Sequence, residues 1–141
     1  MKPLHAWLGL AAAPLIALAP VRAELPPWVY AEEQRSAPLV VELQVTGVAA
    51  DTSPVVVKAR VLRVLRKPGG LQLRQGDSLE VRYPLPPKRP EGWVGPSPLP
   101  LLRSGERVTA WLVADPKVPQ VWAPAAGGRS FGPSLDDLPS R

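Results

Sequence analysis

The chain has 141 residues, 45% of them hydrophobic, a formal net charge of +5, no cysteine and a single histidine, His5. Without cysteine, and without histidine beyond residue 5, we expect no disulfide and no zinc, haem or iron–sulfur site held by thiolate or imidazole. The same absence excludes nucleophilic catalysis of the Ser-His-Asp or Cys-His kind. The composition therefore predicts a protein that is not an enzyme and that uses no metal and no cofactor.

Residues 1–23 have the pattern of a secretory signal peptide. Lys2 supplies a positive start, residues 4–19 are apolar, and the segment ends with small residues at the two positions that a signal peptidase reads. The apolar run is short for a bilayer span and is interrupted by proline, which disfavours a membrane anchor. We therefore expect cleavage after Ala23 and a secreted or periplasmic protein without a stable membrane anchor.

The segment that follows the cleavage point, residues 24–37, predicts an extended N-terminal arm. Pro26 and Pro27 oppose a regular helix there, and the next residues could add one helical turn at most. The segment Trp28-Val29-Tyr30 could pin this arm to the body of the protein.

Alternation of apolar and polar residues then predicts strands. They cover residues 39–48, 55–66, 78–83 and 107–114, with a short edge strand over 118–123 that Pro119 interrupts. Within the second strand the alternation slips by one residue at Leu62 and Arg63, which indicates a β-bulge. A long proline-rich loop, residues 84–105, connects the third and fourth strands, and residues 126–141 read as a loop and a polar tail. The predicted fold is all-β: a small five-stranded OB-like barrel over residues 38–125.

Four segments of the sequence support that fold, because they resemble segments of known OB barrels. They are Val57 to Lys67, Gly76-Asp77-Ser78-Leu79-Glu80-Val81, Leu101 to Leu112, and Trp122-Ala123-Pro124. Their order resembles the netrin-module and metalloproteinase-inhibitor-like OB barrels across residues 39–124. Inhibitors of that family chelate the protease zinc through an N-terminal cysteine and carry disulfides. This chain has no cysteine, so the resemblance implies the fold and not the inhibitory mechanism.

Three residues are the candidate partner-binding residues: Arg89, Trp93 and Trp111. Residues 84–90 contain a P-x-x-P pattern followed by basic residues, which is typical of a polyproline II ligand segment, and Trp93 could anchor it. The alternative is a rigid connection between two strands. Trp111 has the outward parity of its strand, so its indole could contact a sugar or a peptide. The alternative for the tryptophans, Trp28 and Trp122 above all, is that they cover the open ends of the barrel.

The charged residues offer two further candidate sites, a basic stripe and a set of carboxylates. Six basic residues could line one stripe of the barrel, namely Lys58, Arg60, Arg63, Arg66, Lys67 and Arg74. The formal charge falls to +3 without the signal segment, which is low for a nucleic-acid binder, so we expect no nucleic-acid partner and interpret the stripe as a solvated face. Glu80, Glu106 and Asp115 could pair as the acid and base of a carboxylate-based hydrolase. The alternative is that they are solvated surface acids, since each lies next to a turn or has the outward parity of its strand.

The sequence thus favours an exported, non-catalytic binding module of the bacterial envelope or extracellular space, with a protein or a glycan as its partner. A carboxylate-based hydrolase or polysaccharide-active protein is one alternative function. A structural envelope component is the other.

Overall fold

A computed structural model describes residues 25–87, 91–92, 95–96 and 98–136. The elements in chain order are α1 (Pro27–Ser36), β1 (Leu39–Ala49), β2 (Val55–Arg66), β3 (Ser78–Tyr83), β4 (Arg107–Ala114), β5 (Trp122–Pro124) and a short 3-10 turn (Gly127–Arg129). The strands form one closed barrel in the order β1-β2-β3-β5-β4. This confirms the predicted small all-β barrel. The predicted signal peptide lies outside the described residues.

Apolar side chains of alternate parity fill the barrel. Neighbouring strands are antiparallel, except that β3 and β5 run parallel. The inward residues of the first two strands are at most 2% exposed, as their alternation predicts: Leu39, Val41, Leu43, Val45, Val55, Val57, Ala59 and Val61. Burial of this apolar surface is the main stabilising term, since the protein has no disulfide.

The slip in the alternation of β2 is a β-bulge, as predicted. Glu42 and Leu43 are consecutive on β1, but their partners are Arg63 and Val61, so Leu62 is the extra residue of β2. The bulge lets Val61 point into the core while Arg63 stays exposed on the outside. Two further register shifts of the same ladder lie between Val40 and Val41 and between Val45 and Gly47 of β1. The bulges bend a long strand so that it can serve a closed barrel.

The extended arm predicted for residues 24–37 is wrong, because α1 occupies most of it. Pro27 is the first helical residue, a position that proline tolerates because its missing N–H would be unpaired there anyway. The helix buries Tyr30, Ala31 and Gln34, so Tyr30 attaches the segment to the body as expected, whereas Trp28 is 62% exposed and does not. No helix in the described part of the chain is both long and apolar enough to cross a membrane.

The last strand is shorter than predicted and is not an edge strand. The Asp115 side chain accepts hydrogen bonds from the backbone N–H groups of Lys117 and Val118, and the turn that it begins continues to Gln120, where the strand was expected. β5 begins only at Trp122 and pairs with both β3 and β4, so it closes the barrel.

The segment after β5 is part of the folded body, which corrects the expectation of a loop and polar tail for its described residues. Phe131 bridges to Ala110 of β4, and its ring lies 5.7 Å from that of Tyr83. Leu135 donates a backbone hydrogen bond to the Gln34 side chain, and Asp136 pairs with Arg35 at 3.0 Å.

The described residues of the proline-rich loop form neither helix nor strand, as predicted. Leu102 is nevertheless 4% exposed and belongs to the core, and the Tyr83 hydroxyl donates to the Pro100 carbonyl at 2.9 Å. Burial raises the pKa of the Tyr83 phenol, so this group stays protonated and remains a donor. The end of the loop near β4 is therefore attached to the barrel.

Candidate interaction groove

A groove of about 410 Å³ runs along α1 on the outside of the barrel. It is a shallow depression that is largely open to solvent and not an enclosed cavity. We call it the α1 groove. One wall is the helix face that carries Val29, Glu32, Glu33 and Ser36, and the floor consists of Ala37, Pro38, Val113, Pro124 and Ala125.

The groove exists because the pairing of β1 with β4 stops at Leu39, which faces Leu112. The preceding residue, Pro38, has no backbone N–H with which to extend a ladder. The chain turns there from α1 into β1, so Val113 of β4 stands beside the turn without a β1 neighbour and is 39% exposed.

Arg66 fixes the end of the helical wall. Its Nη1 donates to three carbonyl oxygens: those of Gln34 at 3.1 Å, Arg35 at 2.8 Å and Ala37 at 2.8 Å. Carbonyls at a helix C-terminus have no partner within the helix and carry partial negative charge. A basic residue of the predicted stripe is thus used to cap α1 and tie it to β2.

Gln34 fixes the opposite side of the helix. It is 2% exposed, and its Nε2 donates to the carbonyls of Arg129 at 2.9 Å and Pro133 at 3.3 Å. Its Oε1 accepts from the Leu135 N–H at 2.9 Å. Tyr30 packs against Gly127 nearby, where an added Cβ would lie 3.4 Å from the ring. The helical wall is therefore anchored from both sides before anything enters the groove.

The two carboxylates of the wall have no ion-pair partner in the part of the chain that the structure describes. Among the residues that the structure describes, no Lys or Arg nitrogen lies within 4.0 Å of Glu32 or Glu33. The nearest cation in sequence, Arg35, is paired with Asp136. The groove thus combines an apolar floor with two carboxylates that pair with no described cation, in a chain whose formal net charge is positive.

The candidate partner-binding residues do not come together at this groove. Trp111 has the outward parity that the sequence predicts, but the expectation of an exposed indole is wrong. It is 8% exposed, packs with Ala37 and Val40, and donates from Nε1 to the Gly132 carbonyl at 3.2 Å. The C-terminal segment and the end of α1 cover it.

Arg89 and Trp93 lie outside the described residues. Trp122 is half-buried against the core, in keeping with the alternative that it covers the barrel.

The basic stripe is divided among several roles. Lys58 and Arg60 are exposed on β2, and Lys58 faces Glu80 across the β2–β3 ladder. Arg63 lies 4.0 Å from Glu42, at the limit of an ion pair.

The acids of the hydrolase alternative serve the fold. Glu80 accepts two hydrogen bonds from Arg82, at 2.9 and 3.1 Å, and Glu106 accepts one from the Arg103 N–H at 2.9 Å. Backbone N–H groups of Lys117 and Val118 hold the pKa of the Asp115 carboxyl below its ordinary value. The described residues contain no group of three metal-ligating side chains.

Sequence reasoning missed the α1 groove because it assigned no helix to residues 27–36. The spacing of Val29, Glu32, Glu33 and Ser36 (i, i+3, i+4, i+7) places them on one helix face, and this was the available signal. It was weak, because the buried stripe of α1 includes the polar Gln34 and spans under three turns.

The fold and the groove define a small closed β-barrel with a helix-walled surface groove. The chain matches no protein-family model, and no curated protein matches it in sequence. The resemblance to netrin-module barrels therefore stays an expectation from the motifs, and function has to be argued from the geometry.

Proposed function

We propose that this protein is an exported, non-catalytic interaction module that binds its partner in the α1 groove. The observation that carries the proposal is the groove itself: an apolar floor beside two carboxylates that no described cation neutralises. In this proposal the barrel is a netrin-like OB scaffold that positions the groove.

The carboxylate-based hydrolase is less well supported. A pair of catalytic carboxylates needs one group whose pKa is raised so that it can act as an acid near neutral pH. The Asp115 pKa moves in the opposite direction, and Glu80 and Glu106 are engaged by a guanidinium and by a backbone N–H. None of the three lines the groove.

Export forms part of the proposal and rests on the pattern of residues 1–23. We expect a protein expressed in full to be recovered outside the cytoplasm with Glu24 as its first residue. Intact-mass measurement of the recovered protein checks this, and a cytoplasmic product that retains the first residues would contradict it.

Site-specific photo-crosslinking in living cells tests the interaction. A photoreactive amino acid is placed at Ser36, an exposed residue of the groove wall, and in a matched variant at Thr52, an exposed residue between β1 and β2 at the other end of the barrel. We expect one dominant protein adduct from Ser36 that is absent from Thr52. Adducts of equal pattern at both positions, or none at Ser36, would contradict a role for the groove.

A further inference from the structure

We propose that the α1 groove takes an extended peptide segment of a partner protein in which a lysine or arginine stands next to an apolar side chain. The inference rests on the proposed function and specifies the chemistry of the partner. The apolar side chain lies on the floor formed by Pro38, Val113 and Ala125, and the cationic group faces Glu32 and Glu33 on the helical wall.

Charge complementarity selects a cation. Glu32 and Glu33 are adjacent on one wall, and no described Lys or Arg lies within ion-pair distance of either. Two like charges that close favour a cationic ligand and disfavour an anionic one. Exposed basic residues such as Lys58 and Arg60 lie elsewhere on the barrel surface.

The floor selects an apolar side chain beside that cation. Val113 is 39% exposed, and the half-buried Pro38, Pro124 and Ala125 surround it without any polar side chain among them. Covering such surface contributes roughly 25 cal/mol per Å². A cationic ligand without an apolar side chain would not cover this surface and would lack this contribution to the binding free energy.

Other ligand classes fit less well. Anionic lipids and acidic glycans would bring negative charge towards Glu32 and Glu33. Neutral sugars are usually held by stacking on aromatic rings, and none of the described residues that line the groove is aromatic. A peptide is the ligand that combines a cation with an adjacent apolar group.

The anchoring of α1 favours affinity for such a segment. Arg66 holds the end of the helix through three carbonyls, and Gln34 holds its buried side. A wall that is already fixed does not have to be ordered when the peptide binds, so less conformational entropy is lost.

Three labelled peptides of equal length test the proposal by fluorescence anisotropy at low ionic strength: one alternates Lys and Val, one Glu and Val, and one Lys and Ser. We expect the Lys–Val peptide to bind at least about tenfold more tightly than either of the others, a difference of about 1.4 kcal/mol. Its affinity should fall as salt is added, because the carboxylates are solvent-accessible. Equal affinities for the three peptides would overturn the proposal.

Variants show whether the binding occurs in the groove. Glu32→Gln combined with Glu33→Gln keeps good helix formers and should remove the preference for Lys–Val over Glu–Val. Val113→Ser should remove the preference for Lys–Val over Lys–Ser. The matched control is Glu91→Gln, an exposed acid of the proline-rich loop that does not line the groove, and it should change nothing. Loss of binding in the control alone would place the peptide elsewhere and contradict the proposal.

The crosslinking experiment separates this inference from the proposed function. If Ser36 captures a partner whose crosslinked segment is acidic or lacks an apolar neighbour, the interaction module stands and the basic-apolar segment is wrong. If Ser36 captures no partner, the proposed function fails even where the Lys–Val peptide binds. Capture of a segment that contains Lys or Arg beside an apolar residue supports both.

Discussion

At the scale of single residues, Gln34 and Arg66 decide where α1 lies. Both are polar, and each satisfies backbone groups that belong to other segments of the chain. Hydrogen bonds of this kind contribute modestly when formed, but a buried group left without its partner is costly. The geometry of the α1 groove therefore depends on two side chains that do not line it.

Replacing Gln34 by alanine should destabilise the protein by about 1–3 kcal/mol, because the carbonyls of Arg129 and Pro133 and the N–H of Leu135 would lose their partner. Chemical denaturation followed by circular dichroism measures the change. Gln72→Ala, at an exposed position, is the matched control and should be neutral. Equal effects of the two substitutions would mean that the Gln34 bonds do not hold the C-terminal segment.

Asp115 should make the stability of the protein depend on acidic pH. Its pKa is lower in the folded state than its ordinary value, so the unfolded chain binds more protons and stability falls as pH falls through that range. Asp115→Asn keeps the acceptor for Lys117 and Val118 but cannot titrate, and its denaturation midpoint should therefore vary less between neutral and acidic pH. Asp115→Ala should be less stable at every pH. An Asn variant with the same pH dependence as the parent would assign the effect to another group.

At the scale of elements, the strands were predictable and the helix was not. β2, β3 and β4 have the predicted bounds, because successive side chains of a half-buried strand point alternately to the core and to solvent. The bulge at Leu62 was visible as a one-residue break in this alternation. The sequence of α1 shows no comparably regular apolar pattern, because the helix begins at a proline and the polar Gln34 is one of its buried residues. β5 was placed too early because Val118 and Val121 look strand-like, whereas Pro119 and Gln120 form a turn between them, with Gln120 at a φ of 62°. The groove depends on α1 and on the turn at Pro38, so alternation alone could not indicate it.

The sequence did not predict that the C-terminal segment packs on the barrel. Substitution of Phe131 tests how much this packing stabilises the protein. Phe131→Ala should cost about 3–5 kcal/mol, the usual range for deleting a buried aromatic side chain, because the ring is 8% exposed and packs on Tyr83. Leu101→Ala is the control, since Leu101 is 53% exposed. Thermal denaturation of both variants checks the prediction, and a small effect at Phe131 would show that the segment is loosely attached.

At the scale of the whole molecule, the chain closes on itself at two places. β5 joins β3 to β4 and completes the barrel, and the residues beyond it join α1. With no disulfide to maintain either closure, both rely on packing and on hydrogen bonds.

Truncation after Pro124 should therefore expose Trp111 and release α1, because Ala125, Gly132 and the partners of Gln34 are removed together. Tryptophan emission should shift to longer wavelength, and binding in the α1 groove should be lost. Truncation after Asp136 is the matched control, since it keeps every contact that the described residues make with one another. A Pro124 truncation with unchanged emission would contradict the burial of Trp111 by this segment.

The bonds from Gln34 span 95, 99 and 101 positions of the chain. Contacts between residues so distant in sequence form slowly, because a long loop must close before they stabilise anything. During synthesis, α1 is the first described element to be made, yet its partners are among the last described residues. The helix that forms the groove is thus made early and fixed late, and until the final segment arrives its apolar side is open to chaperones or to non-native contacts.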